Sequence, residues 1–179
     1  MRILGISGSL RAGSSNTTLL QAAAALAPAP LEVVLYERLA ELPHFNPDLD
    51  REPFPAAVVE FRAALCRSTG VVISCPEYAH GVPGVLKNAL DWLVASGELY
   101  EKPVALFNAS PRGTYAQASL AETLTVMTAR LVPEASLTAA LSSNDASVQR
   151  IAADPQLAAQ IRAALAAFAQ ALAPANARA

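Results

Sequence analysis

Short apolar segments of strand type alternate along this chain with longer segments in which apolar residues recur at helical spacing. The apolar run at 71–75 has no polar alternation, which is typical of a strand buried on both faces of a parallel sheet. The pattern predicts five strands, at 2–7, 31–36, 71–75, 102–108 and, more weakly, 136–141. It predicts five helices, at 15–27, 55–68, 85–95, 114–131 and from Pro155 onward, with Asp154 as the N-cap of the last.

Strands that alternate with helices predict a three-layer α/β sandwich with an open parallel sheet, formed as a single domain over residues 1–179. The last six residues, 174–179, are expected to be frayed. Ligands of such sheets bind beyond the carboxyl ends of the strands. Three loops leave those ends, at 8–15, 76–83 and 110–114, and we expect them to converge on one site.

Composition and charge narrow the function classes. A net charge of -2 and a pI near 5.7 give no electrostatic argument for nucleic acid or an anionic membrane surface. The chain has no membrane-length apolar run and no leader-like N-terminal segment, so we expect a cytoplasmic protein. Cys66 and Cys75 have no metal-ligand spacing, and we expect both to be buried apolar residues; no metal site is predicted.

The turn between the first strand and the first helix, residues 8–17, is rich in hydroxyl groups and carries one arginine. The first N–H groups of a helix have no partner within it and lie at the positive end of the helix dipole, so this turn suits an anion. The alternative is that Ser14 or Ser15 only caps the helix while the glycines turn the chain. The donors expected around a phosphate are Ser9, Arg11, Ser14, Ser15, Asn16 and Thr17.

Three well-known phosphate-binding loops do not match this turn. A P-loop requires Gly-Lys followed by Ser or Thr, and residues 8–17 contain no lysine. Gly5, Gly8 and Gly13 do not have the G-x-G-x-x-G spacing of a dinucleotide site. Neither cysteine lies in the turn, as a phosphatase thiolate would. The turn is therefore predicted to hold a phosphate monoester without hydrolysing it.

Two motifs carry a family resemblance. The segment Gly-Ser-Leu-Arg at 8–11 with Ser14 and Asn16, and the segment PEYAHGVPGVLKNALDWL at 76–93, resemble the NAD(P)H-dependent FMN reductases of the flavodoxin-like fold. That group includes bacterial quinone, chromate and azo-dye reductases. The likeness extends from residue 1 to about 131. It implies a five-stranded parallel sheet of order 2-1-3-4-5, non-covalently bound FMN, NADPH or NADH as electron donor, and a homodimer or homotetramer.

The resemblance also implies roles for individual residues. The phosphate of FMN would be held by residues of the first turn, namely Ser9, Arg11, Ser14, Ser15, Asn16 and Thr17. The isoalloxazine would lie along the second loop, against Pro76, Glu77, Tyr78, Ala79, His80 and Gly81. Its pyrimidine side would lie near Ser110, Arg112 and Gly113. Because the family often has asparagine and serine where this chain has Ala79 and Gly81, these two positions are expected to offer backbone donors only.

The implied chemistry is hydride transfer from the nicotinamide to the flavin, and from the reduced flavin to a small-molecule electron acceptor such as a quinone, in a ping-pong sequence. No protein nucleophile or metal is needed, so no residue is assigned as catalytic. Tyr78 is a candidate to stack on or gate the ring, and His80 to donate a proton or simply face solvent. Glu77 is expected to fix its loop, and Arg112 to contact either the 2′-phosphate of NADPH or a flavin edge.

Two other functions remain open at this point. One is a non-enzymatic flavin module that carries electrons or senses redox state. The other is a phosphate-binding interaction domain without flavin.

Overall fold

A parallel sheet forms the centre of the computed structural model, which describes residues 1–141 and 146–173. Its strands are β1 (Arg2–Ser7), β2 (Glu32–Leu35), β3 (Gly70–Ser74), β4 (Pro103–Asn108), β5 (Arg130–Leu131) and β6 (Leu137–Thr138). The order is β2-β1-β3-β4-β5, with β6 also paired to β4, and every pairing is parallel. The predicted order 2-1-3-4-5 is confirmed. The predicted frayed tail at 174–179 lies outside the described residues.

Helices cover both faces of the sheet, which confirms the three layers. They are α1 (Ser15–Leu26), α2 (Ala56–Cys66), α3 (Gly84–Asp91), α4 (Thr114–Val126), α5 (Val148–Ala153) and α6 (Pro155–Leu172). Successive residues of β1 show why two layers are needed: Ile3 packs with α1 and α6, whereas Leu4 packs with α2 and α3. Asp154 caps α6 as predicted, since its Oδ1 accepts from the N–H groups of Gln156 and Leu157.

The edge of the sheet beyond β4 differs from the prediction. We predicted a helix over 114–131, but α4 ends at Val126, and β5 then pairs with the start of β4. Pro133 opens a short 3₁₀ turn, and β6 pairs with the end of β4. Proline cannot donate to a sheet ladder, so the edge strand is broken in two at this point. The weak strand predicted at 136–141 is present over two residues only, and the short helix α5 was not predicted.

Trp92 anchors the loop that follows β2. Its side chain is fully buried, and its Nε1 donates to the Pro43 carbonyl over 2.8 Å. Phe45 packs edge-on against the indole, and Asn88 accepts from the Phe45 N–H. Trp92 is therefore a packing residue. His44 in the same loop is exposed to solvent.

The two cysteines lie in different environments. Cys75 is buried as predicted, and burial, with the nearby Glu77 carboxylate, raises the pKa of its thiol to about 12. The prediction was wrong for Cys66, which is exposed because it is the last residue of α2, on the side away from the core. Among residues 1–141 and 146–173 we find no cluster of three potential metal ligands, and none of the described helices has the length and apolarity to cross a membrane.

Candidate functional site

The loops that follow β1, β3 and β4 meet around one cleft, as the sequence predicted. The cleft has a volume of about 610 Å³. The Gly8 N–H donates to the Ser74 carbonyl over 2.8 Å, which links the first loop to the end of β3. The lining comes from all three connections: Ser15 and Asn16 at the start of α1, Pro76 and Glu77 from the second loop, and Ser110, Arg112 and Gly113 from the third.

The N-terminus of α1 carries no side-chain cap. Ser14 occupies the N-cap position with extended backbone angles, yet its hydroxyl makes no capping hydrogen bond. Its side chain is nevertheless buried, with 3% of the residue exposed. The first-turn N–H groups therefore lie at the positive end of α1 without the usual internal acceptor. Of the two readings of this turn, the geometry favours an anion site over a simple cap at Ser14.

Asn16 is held so that its amide nitrogen is left for other partners. Its Oδ1 accepts from the Ser74 hydroxyl over 2.9 Å, and the residue is 8% exposed. Within the described residues, its Nδ2 has no hydrogen-bond acceptor. An asparagine amide has two N–H donors, so Asn16 adds a fixed donor to the cleft.

The remaining residues of the first turn stabilise the turn itself. The Thr17 and Ser7 hydroxyls are 2.8 Å apart, and the Ser9 hydroxyl accepts from the Arg11 N–H. The Arg11 guanidinium donates to the Gly13 carbonyl over 2.7 Å. Ser9, Arg11 and Thr17 line a separate cavity of about 350 Å³ near Tyr36. The structure thus divides the six predicted phosphate residues: Ser15 and Asn16 line the main cleft, Ser9, Arg11 and Thr17 line its neighbour, and Ser14 is in neither lining but directly precedes Ser15.

The second loop contains a tight turn in an uncommon conformation. Tyr78 and Gly81 exchange two backbone hydrogen bonds, and between them Ala79 and His80 have φ angles of 49° and 60°. Two consecutive residues in the left-handed region are the mark of a type I′ turn, which favours Asn-Gly because side chains are strained there. The His80 ring stacks on Tyr115 at 4.1 Å. Tyr78, Ala79 and His80 are all exposed beside the cleft.

Glu77 fixes the second loop to α4, which confirms its predicted role. Its Oε2 accepts a 2.9 Å hydrogen bond from the Ala116 N–H in the first turn of α4. Its Oε1 lies 4.0 Å from His80 Nε2. A carboxylate at a helix N-terminus satisfies a donor that lacks an internal partner and interacts favourably with the helix dipole. The second and third loops are therefore held together by one side chain.

The third loop is organised by Asn108, a residue that sequence reasoning missed. Its Nδ2 donates to the Gly113 carbonyl, and its Oδ1 accepts from the Ser110 N–H. Asn108 is 4% exposed and also lines the cleft. The available signal was its position: Asn108 and Ser74 are polar residues that end apolar strands at the edge where ligands of parallel sheets bind. Arg112 is exposed on this loop and contributes a cationic side chain to the cleft.

A parallel sheet of this order, with an uncapped first helix facing a cleft at the strand ends, defines a flavodoxin-like nucleotide-binding domain. Residues 1–143 match the family model of the NADPH-dependent FMN reductases, and the chain belongs to this family.

Individual relatives agree with this assignment. The chain is 38% identical over 112 residues to an NAD(P)H-dependent FMN reductase of Pseudomonas aeruginosa, which covers 62% of this chain and 60% of the relative. It is 38% identical over 106 residues to a quinone reductase of Escherichia coli, covering 59% and 55%. The matches thus span less than two thirds of these two relatives. Among solved structures, the flavoenzyme FerB of Paracoccus denitrificans, an NAD(P)H:(acceptor) oxidoreductase, superposes with a TM-score of 0.76 at 25% identity, over 94% of this chain and 97% of FerB.

Proposed function

We propose that this chain binds FMN non-covalently and transfers electrons from NADPH or NADH to quinones or similar small electrophiles. The observation that carries the proposal is the uncapped N-terminus of α1, where the Ser14 hydroxyl makes no capping bond beside the polar cleft. Family membership supports it, as do the relatives named FMN reductase and quinone reductase. We propose further that the chain acts in the cytoplasm as a single domain over residues 1–179.

The cleft fits a flavin nucleotide in size and in donor chemistry. Its volume of about 610 Å³ falls in the range typical of cofactor sites, about 300–1,000 Å³. In this proposal Ser14, Ser15 and Asn16 donate to the phosphate together with the first-turn N–H groups of α1. When bound, FMN would supply the hydride chemistry.

The second and third loops position the ring in this proposal. Glu77 holds the second loop against α4, and Asn108 holds the third. The N–H groups of Ala79 and His80 make no hydrogen bond within the described residues, so both are available as backbone donors. The proposal assigns no residue as a proton donor. In it, the exposed Tyr78 side chain covers the flavin ring. Small planar acceptors would enter over the exposed second loop.

The roles assigned to the first turn are unequal. Arg11 donates to its own loop, so we propose that Ser9, Arg11 and Thr17 support the phosphate site through the shape of the turn. Arg112 is proposed to contact the anionic nucleotide from the third loop. We also propose a homodimer or homotetramer, which a sedimentation measurement of the purified chain would test.

An absorption spectrum of the purified chain, before and after addition of FMN, tests the proposed function. We expect a bound-flavin spectrum that NADPH bleaches in the absence of air, and steady-state oxidation of NADPH with benzoquinone as acceptor. If flavin-loaded protein does not oxidise NADPH with benzoquinone, the function would instead be that of an electron carrier or redox sensor. Protein that never retains FMN would contradict the proposal as a whole.

A further inference from the structure

The tip of the second loop has a backbone conformation that its own residues disfavour. Tyr78 and Gly81 exchange two backbone hydrogen bonds, and the residues between them, Ala79 and His80, have φ angles of 49° and 60°. Residues with a Cβ are strained in this left-handed region, so a turn of this kind without a central glycine persists only where its surroundings fix it. Two contacts that fix it come from the first turn of α4.

Glu77 makes the first of these contacts. Its Oε2 accepts from the Ala116 N–H over 2.9 Å, and 13% of its side chain is exposed. This hydrogen bond fixes the base of the loop to α4. It does not by itself fix the orientation of the tip, because a single contact restrains one point only.

Tyr115, one residue before Ala116 in α4, makes the second contact. The His80 ring stacks on the Tyr115 ring with the centroids 4.1 Å apart and the planes at 18°. His80 Nε2 also lies 4.0 Å from Glu77 Oε1. Tyr115 is 59% exposed and the His80 side chain 72% exposed, so the stack is not a by-product of core packing. A stacked aromatic pair stabilises by more than the area it buries, and this pair holds the tip of the loop against α4.

We propose that Tyr115 is a positioning residue for the flavin site: through the His80 ring it holds the turn at 78–81 in the conformation that offers the Ala79 and His80 N–H groups to bound FMN. Those two N–H groups make no hydrogen bond within the described residues. The inference rests on the proposed function, in which they donate to the flavin ring. Tyr115 does not line the nucleotide cleft, so its effect on FMN passes through His80.

Proton NMR of the protein as purified tests the stack independently of FMN. The chain has two histidines, and the exposed His44 is the internal reference. We expect the ring protons of His80 upfield of those of His44, because the facing tyrosine ring shields them. Tyr115→Leu should remove this difference, whereas Tyr115→Phe should keep it. The Gly81 N–H, which donates to the Tyr78 carbonyl over 2.9 Å, should exchange with solvent faster in Tyr115→Leu and at the wild-type rate in Tyr115→Phe.

Stopped-flow measurement of FMN release tests the consequence for the site. We expect release about fivefold faster from Tyr115→Leu, the change expected for the loss of one aromatic pair, and close to wild type from Tyr115→Phe. Tyr100→Leu is the matched control and should leave release unchanged, because Tyr100 is 68% exposed and forms no ring contact within the described residues. In a His80→Ala background, Tyr115→Leu should have no further effect, since the two rings act as one unit.

Three results would overturn the proposal. Ring protons of His80 that do not respond to Tyr115→Leu would mean that the stack is absent. Equal acceleration of FMN release by Tyr115→Leu with and without His80 would mean that Tyr115 does not act through the turn. Faster exchange at Gly81 with unchanged FMN release would mean that the turn does not donate to FMN. Wild-type protein that never retains FMN, but keeps the Tyr115-dependent shift, would contradict the proposed function and still support the role of Tyr115 in holding the turn.

Discussion

The nucleotide cleft has a neighbour with opposite chemistry, a cavity of about 550 Å³ between α4 and the broken edge of the sheet, which we call the edge pocket. Both lie against the carboxyl-terminal part of β4 and share Asn108 and Gly113. The cleft collects polar groups and the Arg112 cation, whereas the edge pocket is mostly apolar and uncharged. The difference follows from the sheet: complete central strands end in polar loops, and an interrupted edge strand leaves an apolar gap.

Residues of the third loop and the end of β4 thus line both the cleft and the edge pocket. The nitrogen and the oxygen of the Asn108 amide both form hydrogen bonds with the third loop. That loop is the wall between the two cavities. Substitutions in this shared wall should affect both cavities. Substitutions of residues that line only one cavity should affect that cavity alone.

Asn108→Ala should have the largest effect, because it leaves the Gly113 carbonyl and the Ser110 N–H without their partner. We expect a loss of about 2 kcal/mol in the free energy of unfolding and at least tenfold weaker FMN binding. Chemical denaturation and a titration with FMN measure these effects. Asn46→Ala is the matched control, since Asn46 accepts a similar bond from the Asp48 N–H in an exposed turn and lines neither cavity. If the control changed ligand binding equally, the wall would not be the cause.

Ser14→Ala should affect the cleft alone. We expect about tenfold weaker FMN binding, as for the loss of a hydrogen bond to a charged group, with an unchanged melting temperature in the absence of FMN because Ser14 makes no capping bond. Asp154→Ala should do the reverse: it removes a formed cap and should lower stability by about 1 kcal/mol without changing FMN affinity. A destabilised Ser14→Ala with normal FMN affinity would restore the capping interpretation.

Glu77→Ala should loosen the second loop with a smaller effect on the cleft. Its removal leaves the Ala116 N–H without an acceptor, so we expect a few-fold faster FMN release. Stopped-flow measurement of flavin fluorescence gives the release rate. Glu77→Gln keeps an oxygen acceptor and should be close to wild type; a large defect in that variant would mean that charge, rather than the loop anchor, is what matters.

The smallest effect is expected from Cys75, the buried residue that precedes Pro76. Burial raises its pKa to about 12, so the folded chain keeps a proton that the unfolded chain releases above about pH 9. The unfolded state then binds fewer protons, and stability falls as pH rises through this window, by about 1 kcal/mol at pH 10. Urea titrations at pH 8 and pH 10 should show this loss in wild type and less of it in Cys75→Ala. An equal loss in both proteins would assign the alkaline sensitivity to another group.

Local signals predicted much of the fold. The unbroken apolar run at β3 identified a buried parallel strand, and Asp154 with Pro155 identified the start of α6. The residues after α4 were harder, because their composition suits a helix and only sheet pairing selects the strand conformation for β5. Cys66 was misplaced for a related reason: the periodicity located α2, but the exposure of its last turn depends on where the helix ends.

The site was predicted at the level of loops but not of contacts. The three loops meet as expected because parallel strands end at one edge of the sheet. The separation of Arg11 and Thr17 from the main cleft depends on which hydroxyls and carbonyls pair within the turn, and no sequence pattern specifies that. The edge pocket was not predicted, since it exists only once α4 packs over the broken edge.

The interrupted edge also bears on how copies of this chain can meet. An exposed, continuous edge strand is a template for intermolecular pairing and aggregation. Here β5 and β6 are two residues each and Pro133 separates them. A neighbouring chain therefore finds no uninterrupted ladder on this side to extend, and growth of the sheet is not expected at this edge.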